Sequence, residues 1–113
     1  MNTQSPAASK IAALNDEFRR TGRGSGRIMM TAGIQALGEA GVNEVLAKIR
    51  AFNTFTKDND PYGEHDFGKI EHNGNKIFFK FDYYDRHMQY ASPDPADVSK
   101  TCRILTIMLA DEY

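Results

Sequence analysis

An Asn73-Gly74 dipeptide between two runs of β-branched and aromatic residues constrains this chain more than any other feature. A two-residue hairpin turn of type I′ needs positive φ at both central positions, which Asn and Gly adopt most readily. The runs 67–72 and 75–84 are therefore predicted to pair antiparallel. Within the second run Ile77, Phe79, Phe81 and Tyr83 fall on one side of the strand, and Phe78, Lys80, Asp82 and Tyr84 on the other. The first set predicts a core face, with the Tyr83 hydroxyl hydrogen-bonded. The second predicts a mixed face that is exposed or functional.

The flanking segments supply the rest of the fold. Ile11, Leu14 and Phe18 recur at helical spacing and predict a helix over 9–20, with Asp16 and Glu17 facing water and Gly22 ending it. The Gly-rich stretch 22–27 has arginines that suit a phosphate loop, but such a loop opens a helix, and Arg27 to Thr31 reads as a short strand. That stretch is predicted to be a connector. Residues 32–40 read as at most one helical turn around Ile34 and Leu37. Val42, Val45, Leu46, Ile49 and Phe52 make the clearest helical stripe, with Lys48 and Arg50 suited to the C-terminal end of its dipole. Two long polar loops, about 53–66 and 85–101, surround the hairpin. The final apolar run 103–110 is short and β-branched, which favours a strand over a buried helix. The order α-β-α-β-β-β predicts an α+β fold: a small, mainly antiparallel sheet with two helices on one face.

A chain of 113 residues fits a single domain, here expected over 9–113 behind a flexible terminus of residues 1–8. The lone Cys102 excludes an internal disulfide framework and an all-cysteine zinc site, so a reducing cytoplasm is expected; beside the last apolar run it reads as a small buried hydrophobe. The N-terminus has neither a basic nor an apolar signal region, and no run is long enough to span a bilayer. The net charge of −1 argues against general nucleic-acid binding, although residues 1–50 carry seven Lys/Arg and four Asp/Glu against seven and eleven in 51–113.

Chemistry is most concentrated in Asp58-Asn59-Asp60-Pro61-Tyr62-Gly63-Glu64-His65-Asp66, four carboxylates and an imidazole on a segment broken by Pro and Gly. His65 flanked by Glu64 and Asp66 suggests a tuned base, and His65 with Asp66 and Asp82 a metal site, with His72, Asp85 and His87 within possible reach. No metal-ligand spacing and no nucleophile elbow support either, and no cofactor is indicated. The same residues are also good turn formers: Asp58, Asn59 and Asp60 suit Asx turns before Pro61, and Asp66 suits a strand cap or a pair with Arg27 or Arg103.

Several segments together resemble a small, functionally uncharacterised bacterial family, a domain of unknown function often borne on plasmids and other mobile elements. They are Arg27 to Gly33, Asn59 to Gly68, Asp82-Tyr83-Tyr84-Asp85, Ser92 to Asp97 and Thr101 to Tyr113. The resemblance spans about residues 10–113 and implies no established activity and no catalytic residue. Its setting implies an accessory role such as countering host restriction or CRISPR defence. The leading expectation is a cytoplasmic protein that binds another protein, using Tyr62, Glu64, His65, Asp66, Lys80, Asp82, Tyr84, Asp85 and Tyr90. The alternatives are a metal-assisted hydrolase centred on Glu64, His65 and Asp66, and a self-associating structural protein, with a homodimer allowed.

Overall fold

The computed structural model describes residues 6–113. Helix α1 spans Pro6–Thr21, β1 Gly26–Met30, α2 Ala32–Gln35, α3 Gly38–Ala51, β2 Phe67–His72, β3 Asn75–Tyr84 and β4 Cys102–Leu109. Two 3-10 turns, Val98–Lys100 and Ala110–Glu112, bracket β4. The α+β class stands, with three helices instead of two because residues 32–35 form a helix of their own. The first helix is already formed at Pro6, the first described residue, ahead of the expected Ser9. Residues 1–5 of the expected flexible terminus lie outside the described residues.

The hairpin forms as predicted, with Asn73 and Gly74 both at positive φ (50° and 82°) and His72 paired with Asn75. The sheet runs in the order β1-β4-β3-β2. β4 enters between β1 and β3, antiparallel to β3 and parallel to β1, so the sheet is mixed. The parallel pair follows from the long path through α2, α3 and the hairpin that separates β1 from β4.

All three helices pack on one face. Phe18, Ile34, Val45 and Ile49 meet Ile77, Phe79, Phe81, Leu105 and Ile107 in one buried cluster. Gly68 is required by this packing: a Cβ there would lie 2.3 Å from the Phe79 ring. The stripe α1 buries is rotated from the expected one. Ala8, Ile11, Ala12, Asn15, Phe18 and Arg19 face inward, while Leu14 is half-buried. Asp16 does not simply face water as expected, since it pairs with Arg19 and His65. The cause is that α1 packs against a polar loop as well as against the sheet.

Candidate functional site

The loop between α3 and β2 is fastened at its centre. Asn59 accepts a hydrogen bond from the Thr56 amide (2.7 Å) and donates to the Thr54 carbonyl (2.9 Å). The Asp60 amide donates to Thr56 and the Gly63 amide to Asp60. These are the self-capping turns that the loop's composition suggested. Phe55 reaches into the core beside Phe52 and Phe79 and stacks flat on the His65 ring, with centroids 4.0 Å apart.

His65 lies between two carboxylates. Its Nδ1 is 2.9 Å from Asp16, its Nε2 is 3.7 Å from Asp60, and its backbone N–H donates to the Asp60 carboxylate. Asp60 is buried, and His65 sits at a φ of 56° that favours glycine, so several contacts together hold this residue in place. Asp16 in turn binds Arg19 (2.9 Å). The fully buried Arg19 side chain donates to the carbonyls of Ile49 (2.7 Å) and Phe52 (2.9 Å) at the end of α3, where helical carbonyls lack partners. The chain Asp60–His65–Asp16–Arg19 thus ties the loop, α1 and α3 together.

A second polar group adjoins it. Asn15, fully buried, donates to the Glu64 carbonyl (3.0 Å) and the Tyr83 hydroxyl (2.8 Å) and accepts from Arg103 Nε (2.8 Å). Tyr83 donates to the Glu64 carboxylate (3.1 Å), and Arg103 also donates to the Pro95 carbonyl while its guanidinium lies over the Tyr83 ring. Burial, with Asp66 and Asp60 nearby, raises the pKa of Glu64 above the ordinary carboxylate value; the Tyr83 hydrogen bond opposes the rise. Burial likewise raises Asp66, with Asp60 and Asp82 adding to it and a hydrogen bond from its own backbone opposing. Burial also raises the Tyr83 hydroxyl and lowers Arg103.

These placements decide what the loop can do chemically. Both imidazole nitrogens of His65 face carboxylates of the protein itself, an arrangement that holds a ring in place. Among the described residues no group of three or more His, Cys, Asp or Glu side chains is arranged to hold a metal ion, so His65, Asp66 and Asp82 do not form one. His72 is buried beside Glu44 and Lys48, and His87 is exposed in the 85–101 loop. Asp66 pairs with neither Arg27 nor Arg103; Arg103 is taken by Asn15 and Pro95. Asp85 caps the amides of His87 and Gln89. Cys102 is half-buried on the outer side of β4, less enclosed than expected.

The opposite sheet face carries no helix among the described residues. Alternation and register place Phe78, Lys80, Asp82 and Tyr84 of β3 there, beside Phe67 of β2 and Ile104, Thr106 and Met108 of β4. Lys80 and Asp82 form a half-exposed ion pair at 2.9 Å, and that hydrogen bond raises the Lys80 pKa. The C-terminal Tyr113 swings onto this face edge-on to Phe67 and Phe78, with centroids 6.1 and 5.8 Å away. Tyr84 is 37% exposed and Tyr113 75%. Tyr90 is exposed next to Ala91, which bridges to Tyr84, and Tyr62 is exposed on the other loop.

Asn15, Asp16 and Arg19 are not among the residues that the sequence singles out as a site, although the polar Asn15 and Arg19, at i and i+4 on the buried stripe of α1, signal a polar neighbour. Phe67 and Tyr113 are likewise outside that set; the hairpin register alone places Phe67 opposite Lys80. No curated protein and no solved structure matches the chain. A family model matches residues 30–112, from the end of β1 to the C-terminal 3-10 turn. The chain therefore belongs to DUF3768, a family of proteins of unknown function.

Proposed function

We propose that this chain is a macromolecule-binding accessory protein, cytoplasmic, with a protein partner that docks on the helix-free face of the sheet. The observation that carries this reading is the side-chain set of that face. Tyr84 and Tyr113 are exposed around the Lys80–Asp82 pair, over the half-buried rings of Phe67 and Phe78, and Tyr90 extends the aromatic surface along the adjoining loop. Exposed aromatic rings beside a few charges are the composition of protein-binding surfaces, where rings provide most of the affinity and charges orient the partner. The rival reading, a metal-assisted hydrolase at Glu64, His65 and Asp66, has less support because those side chains are engaged with Asp16, Asp60, Tyr83 and the backbone. The finer form of the proposal, drawn from the mobile-element setting that the family resemblance implies, is inhibition of a host restriction or CRISPR component.

Site-specific photo-crosslinking in a bacterial host tests the reading. A photoreactive phenylalanine analogue at Tyr84 or Phe67 should give a discrete crosslinked protein, and the same analogue at Ala13 or Ala47, exposed on the helical side, should not. Crosslinks confined to the helical positions, or none from the sheet face, would overturn it.

A further inference from the structure

We propose that two copies of this chain join edge to edge through β1, antiparallel about a two-fold axis at Ile28, extending the four-stranded sheet across both copies. This goes beyond the docking-face reading and does not depend on it.

The backbone at β1 is the starting point. The Thr31 amide donates to the Ile107 carbonyl and the Arg103 amide to the Ser25 carbonyl, so Arg27 and Met29 direct their backbone groups at β4. The amides and carbonyls of Gly26, Ile28 and Met30 therefore point away from the sheet. The Met30 carbonyl receives the Gln35 side-chain amide at 2.9 Å and keeps a second lone pair. An open groove lined by Ile28, Met29, Met30 and Gln35 runs along this edge. The other edge is guarded: on β2 the Lys48 ammonium binds the Glu71 carbonyl at 2.8 Å, and Lys69 and Glu71 are exposed charges. Such charges are how sheet edges avoid added strands, and β1 has only Arg27.

Charge selects a second copy as the occupant. The N-terminal end of β1 is basic, because Arg23 and Arg27 are exposed and form no ion pair among the described residues. The C-terminal end is acidic. Glu112 sits there, accepting from the Thr31 hydroxyl (2.6 Å) and the Gly33 amide (2.9 Å), which lowers its pKa. With Ile28 opposite Ile28, antiparallel register puts Ser25 opposite Thr31 of the second copy, so the basic end of each strand lies against the acidic end of the other. Arg23, two residues before Ser25, is thereby brought to the side of the Glu112 held on Thr31 of the other copy, and the two-fold repeats this complementarity. Arg27 falls opposite Met29, 52% exposed, and can lay its aliphatic stem on it. The axis is perpendicular to the sheet, so both helix-free faces end on the same side, and a partner with two matching sites would meet a bivalent surface.

Sedimentation velocity on the full chain, from micromolar to millimolar concentration and at low and high salt, tests this. Wild type should dimerise reversibly, more weakly as salt rises. Arg23→Glu should weaken the dimer roughly tenfold, because symmetry counts the repulsion from Glu112 twice. Ile28→Pro should abolish it, since it removes an amide directed away from the protomer. Circular dichroism checks that each variant folds; if Ile28→Pro does not, Arg23→Glu decides. A monomer at every concentration, or a dimer unchanged in folded Arg23→Glu, would overturn the proposal.

Discussion

The polar junction beneath the 53–66 loop and the outer sheet face are both rich in residue types that bind and react, yet they use them oppositely. At the junction Asp16, Asp60, His65, Arg19, Asn15, Glu64, Tyr83 and Arg103 bind one another and the backbone. On the outer face Lys80 and Asp82 bind only each other in the described pairs, and the rings of Tyr84 and Tyr113 meet solvent. A buried donor or acceptor left without a partner costs more than an exposed one, because water cannot replace what is lost. The junction should therefore be sensitive to substitution in stability and indifferent in binding. The face should behave the other way.

The largest effect is expected at Arg19. Arg19→Met strands the Ile49 and Phe52 carbonyls and leaves Asp16 with one partner fewer, so urea denaturation should show a loss of about 3–5 kcal/mol. A loss below about 1 kcal/mol would mean the network is ornamental. His65→Ala removes the stack on Phe55 and the contacts with Asp16 and Asp60 while keeping an unfavourable φ. It should cost about 1–2 kcal/mol in the same assay. His65→Gly should cost less than that, because glycine relaxes at this φ.

At the face, Tyr84→Ala should change stability by no more than about 0.5 kcal/mol, the usual range for exposed positions. A larger loss would make Tyr84 part of the fold instead of a contact residue, blurring the comparison.

The smallest effect separates two carboxylates by pH. The pKa of Glu64 is raised on folding, so the folded chain holds that proton more tightly than the unfolded chain does. Its ionised form therefore costs stability at neutral pH, and the cost fades as pH falls toward and below the ordinary 4.5. Glu64→Gln should stabilise by a few tenths of a kcal/mol at pH 7, allowing for solvent screening, and by nothing in acid. Glu112 has the opposite sign: its pKa is lowered by Thr31, Leu109 and Gly33. Its contribution is present above the ordinary carboxylate value and lost as pH falls through the lowered folded one. Thermal melts of Glu64→Gln and Glu112→Gln across pH 3–7 should diverge in these two directions.

Local rules made much of the fold readable. Asn73-Gly74 set the turn, parity set the two faces of β3, and the stripe of Val45 and Ile49 set α3. The insertion of β4 between β1 and β3 was not readable, because which strand fills a sheet position depends on long-range packing and not on any window of sequence. The candidate site divides similarly. Lys80, Asp82 and Tyr84 were placed on the outer face by alternation alone. Glu64, His65 and Asp66 were legible as a cluster, but not as a fastener, since the partners that engage Glu64 and His65, Asn15 and Asp16, lie far away in sequence on a helix read as simply amphipathic.

The most direct measurement pairs one variant from each region. His65→Ala and Tyr84→Asp would each be measured for melting temperature and for capture of the protein crosslinked from Phe67. The account predicts that His65→Ala melts several degrees lower yet captures the partner as wild type does, whereas Tyr84→Asp melts unchanged and loses capture. A folded His65→Ala that loses the partner while Tyr84→Asp keeps it would contradict the account, and return the function to the loop.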